Sequence, residues 1–115
     1  MDHLEKWNSS LQELLKDKIS VEEFKKKNED LPVFYSTPFG EDGKPYLLSH
    51  PSGKTFFPVY LTVESCEEQM SLAGRDDFPI LTGTLGSVFP LLESQDGLRG
   101  TGVAVFDGKG VVPLL

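Results

Sequence analysis

The chain has 115 residues, 38% of them hydrophobic and 25% charged, and this balance fits one folded domain and excludes a disordered tail. The formal net charge is −7, with only five basic residues after position 31, so the charge disfavours binding to nucleic acid or to an anionic membrane. The chain shows no signal-peptide pattern or apolar run of ~20 residues, and its single cysteine fits a reducing compartment, so we expect a cytoplasmic protein.

An apolar stripe dominates the first predicted helix. Three leucines and the only tryptophan of the chain recur at steps of three and four, at Leu4, Trp7, Leu11 and Leu14. This spacing places them on one face of an amphipathic helix. The stripe either closes the chain's own core or meets another chain, and a tryptophan-centred helical face is a reasonable anchor for a protein partner. These four residues are therefore the candidate partner-binding site.

A second helix is predicted over about residues 21–28 by its start signal. Ser20 followed three residues later by Glu23 is a capping box, in which each residue satisfies a backbone N–H group of the other. We expect the two helices to form an N-terminal arm, residues 1–30. The arm is attached to a single α/β body, residues 31–115.

The body begins with three β-rich segments. Strands are predicted over residues 33–37, 45–50 and 55–62, with turns at Asp42-Gly43 and at 51–54. Short glycine-bearing turns between such segments are typical of an antiparallel meander. The third segment has apolar residues on both faces, which indicates a central strand that is covered on both sides.

The C-terminal half mixes helices and strands. We expect a helix over residues 63–72, a short strand over 78–81, and a short helix that starts near Ser87 or Val88 with Pro90 in its first turn. TGVAVFD then predicts a strong strand, and VVPLL predicts a possible edge strand. The predicted fold is α+β: a mixed, mostly antiparallel sheet of about five strands with packed helices and the N-terminal helical arm.

Gly53-Lys54-Thr55 matches the end of a phosphate-binding loop, but its surroundings do not. The motif needs a glycine five residues before Gly53, and Leu48 stands there. It also needs a helix after the threonine, where the sequence predicts a strand. A hairpin turn is the favoured interpretation, and we expect no nucleotide binding.

Cys66 and His50 are the remaining candidates for catalysis. Three glutamates lie within two residues of Cys66 and would raise its pKa, and nothing in the sequence pairs it with a histidine base. His50 stands at a strand end without a second residue at metal-ligand spacing. We therefore expect no enzyme, no cofactor and no metal, and a small enzyme using His50 or Cys66 is only the third of three hypotheses.

Three segments of the body resemble one protein family. They are DGKPYLLSHPSGKTFFPVYLT at 42–62, the acidic helix VESCEEQM that follows, and GTGVAVFDGKGVVPL at 100–114. Together they resemble the N-terminal domain of the SseB family, named for enhanced serine sensitivity, over about residues 32–114. Phe106-Asp107-Gly108 stands where family members carry an Asn-Pro-like strand end. The resemblance implies an α/β fold and a bacterial cytosolic setting, and it transfers no catalytic residue.

The leading functional hypothesis is a non-enzymatic protein-interaction module that binds a protein partner or associates with itself. The alternative is a small immunity-type or inhibitor protein that neutralises a basic partner enzyme, which the acidic balance of the chain allows. Neither hypothesis involves nucleic acid, a nucleotide or a membrane.

Overall fold

The computed structural model describes residues 3–36, 47–74, 79–108 and 110–114. Helices in this part of the chain pack on a mixed six-stranded sheet. The helices of this part of the chain are α1 (His3–Leu15), α2 (Val21–Lys27), α3 (Val63–Leu72) and α4 (Leu85–Glu93). Its strands are β1 (Pro32–Ser36), β2 (Leu48–Ser49), β3 (Thr55–Tyr60), β4 (Ile80–Thr84), β5 (Gly102–Phe106) and β6 (Val111–Leu114). The predicted α+β class is confirmed.

The strands are ordered β4-β1-β3-β5-β6, and β2 pairs with β3 as well. Strands β3 and β5 are parallel, and the other described pairs are antiparallel. Since β5 occupies one edge of β3, strands β1 and β2 share the other edge, at Tyr60 and at Phe56 respectively. The central position predicted for β3 is therefore confirmed, whereas the meander order is wrong because β1 pairs with β3 and β4. The predicted turn at Asp42-Gly43 lies outside the described residues.

Helices pack on both faces of the sheet. On one face, α1, α2 and α4 cover the larger core, whose buried residues include Trp7, Phe24, Val33, Phe57, Val59, Leu85, Val88, Val103 and Val105. On the other face, Cys66 and Met70 of α3 pack against Tyr60. Alternation along β3 produces both cores, because neighbouring residues of a strand point to opposite faces.

The helical arm is joined to the body through Trp7. The Trp7 ring is fully buried, and its centroid lies 4.9 Å from that of Phe24 in α2. Its Nε1–H group donates a hydrogen bond of 3.3 Å to Oδ2 of Asp107, in the loop between β5 and β6. Between the two helices, Asn28 Nδ2 donates to Ser10 Oγ at 2.9 Å. The first helix is therefore anchored both to its neighbour helix and to the last hairpin.

The ends of the arm helices follow local capping rules. The predicted capping box at α2 is confirmed, because Glu23 N–H donates to Ser20 Oγ at 3.1 Å and Ser20 N–H donates to Glu23 Oε1 at 3.4 Å. At the end of α1, Lys18 N–H donates to the Glu13 carbonyl at 2.8 Å, a bond typical of the Schellman motif. The residue before it, Asp17, takes the left-handed conformation with φ 58° that this motif requires.

Helix α4 begins earlier than the sequence predicts. It starts at Leu85, and Pro90 lies in its interior rather than in its first turn. The prediction was wrong because two N–H groups of the first turn find acceptors in the segment between α2 and β1. Leu85 N–H donates to the Leu31 carbonyl at 2.8 Å, and Gly86 N–H donates to the Glu29 carbonyl at 2.9 Å. A Cβ atom at position 86 would lie 2.9 Å from Cβ of Glu29, so this close approach requires a glycine.

Gly53-Lys54-Thr55 forms a hairpin turn, as predicted. Gly53 has φ +89°, and its N–H group donates to the His50 carbonyl at 2.9 Å. His50 N–H in turn donates to the Lys54 carbonyl at 2.9 Å. Strand β3 follows the turn where a phosphate-binding loop would require a helix.

Replacing Trp7 with alanine tests how strongly the arm is anchored. We expect Trp7→Ala to lower the free energy of unfolding by about 3–5 kcal/mol, because it empties a fully buried site. Trp7→Phe keeps most of the ring and loses the hydrogen bond to Asp107, so it should cost less. Urea unfolding followed by circular dichroism measures both. A loss below about 1 kcal/mol for Trp7→Ala would contradict the anchoring.

Replacing Asp17 with glycine should stabilise the fold. Glycine adopts positive φ without steric cost, and the change also removes a negative charge from the C-terminal end of α1, where the helix dipole disfavours it. We expect Asp17→Gly to raise the free energy of unfolding by about 0.5–1 kcal/mol. Asp17→Asn, which removes only the charge, separates the two contributions. An unchanged or lower urea midpoint for Asp17→Gly would show that the strain is absent.

Candidate functional site

Cys66 lies in the smaller core, formed with Tyr60 and Met70 on the α3 side of the sheet, and its thiol has low reactivity. It belongs to the first turn of α3, which Thr62 caps by accepting the Ser65 N–H group at 3.2 Å. The side chain is fully buried against Tyr60 and Met70. Burial, and secondly the charge of Glu67, raise the pKa of Cys66 from 9.0 to about 11. At neutral pH the thiol is protonated, so it is a poor nucleophile.

His50 lies on the surface, in the turn before β3. Its Nδ1 atom accepts the Ser52 N–H group at 3.1 Å, and the centroid of its ring lies 6.2 Å from that of Phe56, with the two ring planes at 74°. It forms no hydrogen bond with Cys66, so the two candidates for catalysis are not brought together. Among residues 3–36, 47–74, 79–108 and 110–114, no group of three histidine, cysteine or acidic side chains is placed to hold a metal ion. The helices described for this chain are all too short or too polar to span a bilayer.

The predicted partner-binding stripe divides between the core and the surface. Trp7 is fully buried in the chain's own core, so it offers no surface to a partner in this conformation. Leu11 and Leu14 are half-buried and pack against the same core. Leu4 remains 42% exposed, and Leu15, about three turns further along the same side of the helix, is 69% exposed.

Leu11 and Leu14 line one wall of a groove between α1 and β6. The groove, called the α1–β6 groove below, has a volume of about 420 Å³. Its lining residues are Asn8, Leu11, Gln12, Leu14, Leu15, Asp107, Gly110, Val111, Val112 and Pro113. Both walls carry aliphatic side chains, and the most exposed of them on the strand side is Val111, at 50%. Asp107 is the one charged side chain among the described lining residues.

Strand β6 is an edge strand, as predicted, and a proline modifies its outer edge. The hairpin closes where Asp107 N–H donates to the Gly110 carbonyl at 3.2 Å. Counting from this pair, Val112 and Leu114 exchange hydrogen bonds with β5, whereas the backbone of Val111 and Pro113 faces outward. A proline nitrogen carries no hydrogen, so the outer edge lacks a donor at position 113. An added strand would find few bonds there.

Two further concavities open on the opposite face of β6. One, of about 280 Å³, is lined by His50, Phe56 and Pro113 among others, and the second, of about 390 Å³, includes Glu68 of α3. Val111 lines both of them as well as the α1–β6 groove. Strand β6 therefore borders three concavities of the described surface. Another, of about 390 Å³, lies between α2 and α4 and is lined by Lys25, Glu29 and Phe89 among others.

Sequence reasoning found part of this site. It named Leu11 and Leu14 as partner-binding residues, but it did not include Leu15 or Val111, the most exposed aliphatic residues of the groove. The helical period did place Leu15 beside Leu11, so that residue had a detectable signal. Val111 had none, because only the folded chain brings the last strand beside the first helix.

Comparison of the chain with protein-family models, with curated proteins and with solved structures finds no match. The resemblance of the body to the SseB family therefore stays a prediction. Function has to be argued from the groove itself.

Thiol labelling tests the state of Cys66. A pKa of about 11 instead of 9.0 lowers the thiolate fraction about a hundredfold at pH 8, and burial adds a steric barrier. We expect the folded chain to react with an aromatic disulfide reagent at least a hundredfold more slowly than the urea-unfolded chain. Rapid labelling of the folded chain would contradict this.

The same shift predicts a pH dependence of stability. Because the pKa of Cys66 is higher in the folded chain than in the unfolded one, its thiol contributes to the free energy of unfolding. This contribution is fully present below pH 9 and is lost as the pH rises towards 11. Urea midpoints measured across this window should fall with pH in the natural chain. The urea midpoint of Cys66→Ala, which has no titrating thiol, should fall less over the same pH range. Parallel curves for the two chains would contradict the assignment.

Proposed function

We propose that the chain is a non-enzymatic protein-interaction module whose binding surface is the α1–β6 groove. One observation carries the proposal: aliphatic residues of both elements line a single concavity and stay exposed, Leu15 at 69% on the helix and Val111 at 50% on the strand. Removing such surface from water is the main favourable contribution to most protein association. Scattered exposed leucines are ordinary on a protein surface, whereas apolar residues that converge on a groove mark binding sites.

The composition of the groove supports binding to a protein. Its apolar walls are bordered by the polar side chains Asn8 and Gln12 and by the carboxylate of Asp107. An apolar centre with a polar rim is the usual anatomy of a protein interface. Both walls are regular elements held by the core, so little order has to be gained on binding.

The expected family and compartment belong to the same proposal. The SseB-like pattern of residues 32–114 supplies no catalytic residue, which agrees with a role in binding. A single, buried cysteine suits a reducing bacterial cytoplasm, because no disulfide is needed to hold this fold.

An acidic inhibitor of a basic enzyme is the second candidate. It is favoured by the charges around β6, where Asp107 and Glu68 line the concavities and no lysine or arginine is among their described lining residues. The formal net charge of −7 has the same sign. A complex of this kind would weaken steeply with added salt, whereas an interface made mainly by the aliphatic groove would not.

Substitution of Leu15 tests the proposed surface. A tagged chain should retain a protein from a lysate of its native host, or an untagged copy of itself. Leu15→Glu should reduce this retention at least tenfold, because it places a charge on the apolar wall of the groove. Urea unfolding should show little change, since the Leu15 side chain is mostly exposed.

Leu72→Glu is the matched control. Leu72 is 76% exposed, but it belongs to α3 on the other face of the sheet. This variant should retain the partner as the natural chain does. Equal retention by all three chains, or no retained protein at all, would overturn the proposed function.

A further inference from the structure

The outer side of α1 carries a row of residues that shares Leu4 and the half-buried Leu11 with the predicted stripe. Its members, spaced by four, three and four residues, are Leu4, Asn8, Leu11 and Leu15. This is the spacing by which one helix packs along another in a coiled coil, in which a single polar residue such as Asn8 helps to fix the register. Asn8, Leu11 and Leu15 line the α1–β6 groove, so the row faces the proposed binding surface.

A helix fits this surface better than a strand does. The row extends about 16 Å along α1, or three helical turns, and it presents side chains rather than backbone groups. On the facing wall, Pro113 removes a donor from the outer edge of β6, which disfavours an added strand. The occupant suggested by the spacing is therefore a helix of about the length of α1.

Two opposite charges flank the row on the same side of α1. Glu5 and Lys16 are both exposed, and Lys16 continues the helical path because its N–H group donates to the Gln12 carbonyl at 3.1 Å. They lie about 16 Å apart along the helix axis, too far to pair with each other. Neither takes part in a salt bridge within the described part of the chain.

A second copy of α1, packed antiparallel to the first, would contact the row of leucines and would also pair the two flanking charges. If Leu4 lies opposite Leu15 of the second copy, the leucine rows of the two helices meet. The same register brings Glu5 of each copy to within about 3 Å, measured along the helix axis, of Lys16 of the other, on the same side of the pair. A two-fold axis then makes two such ion pairs. Two parallel helices would keep these residues about 16 Å apart, so only the antiparallel arrangement forms the pairs.

We infer that the chain forms a two-fold symmetric dimer in which α1 packs antiparallel against α1 of a second copy, beside the α1–β6 groove of each. The inference rests on the proposed function and names the partner at that surface as the chain itself. The formal net charge of −7 opposes association of two copies, so the leucine rows and the two ion pairs have to outweigh it.

Charge reversal on the full-length chain tests the arrangement. Sedimentation velocity at increasing protein concentration should show a monomer–dimer equilibrium at low salt. Glu5→Lys and Lys16→Glu should each weaken dimerisation about tenfold, because each variant places two like-charged pairs in the interface. The double variant Glu5→Lys with Lys16→Glu restores opposite charges and should dimerise within about threefold of the natural chain. Random surface charge effects would not produce this recovery.

Two further variants tie the dimer to the groove. Leu15→Glu should abolish the dimer, and Leu72→Glu should leave it intact. A chain that sediments as a monomer at every concentration, or a double variant no better than the single ones, would overturn the inference. If the chain is monomeric but Leu15→Glu still prevents capture of a different protein, the dimer is wrong and the proposed function stands. If neither self-association nor capture depends on Leu15, both are wrong.

Discussion

The anchoring of the first helix by Trp7 is the interaction on which the rest of the surface depends. The indole ring fills the larger core beside Phe24, and its N–H group reaches Asp107 at the tip of the last hairpin. Asp107 also accepts the Gly110 N–H group at 3.0 Å, so one carboxylate holds both the hairpin turn and the helix. Because α1 and β6 are fixed relative to each other in this way, the space between them is a groove of defined shape.

Local signals in the sequence were sufficient for most elements of the fold. Ser20 and Glu23 specify the start of α2 through bonds across three residues, and Gly53 specifies its turn through its own backbone conformation. The strand order and the start of α4 were not predictable in the same way. They depend on hydrogen bonds and contacts between distant segments, such as the bond from Leu85 to Leu31.

In the candidate site, too, the residues that depend on local spacing were predictable, and those that depend on contacts between distant segments were not. The helical period identified Leu11 and Leu14, which need only the neighbouring turn of the same helix to share a face. The opposite wall of the groove comes from the other end of the chain, and no periodic pattern in either segment indicates that they meet. The sequence also overestimated Trp7 as a contact residue, because amphipathic spacing does not say which part of an apolar face turns inward.

The raised pKa of Cys66 has one cause that the sequence suggested and a larger one that appears only in the folded chain. The glutamates near it in sequence already suggested a raised pKa, and Glu67 does contribute. Burial against Tyr60 and Met70 is nevertheless the larger cause. The thiol therefore behaves as a small apolar side chain of the smaller core.

The proline at the end of the last strand has a consequence for how large an assembly can grow. A sheet edge with a complete set of backbone donors can recruit strand after strand and extend into a fibre. Pro113 interrupts this ladder beside an apolar groove, where such recruitment would be most harmful. Contacts made along this edge therefore depend more on side chains than on backbone hydrogen bonds. The dimer inferred above would occupy α1 of both copies, so that contact would not extend to a third copy.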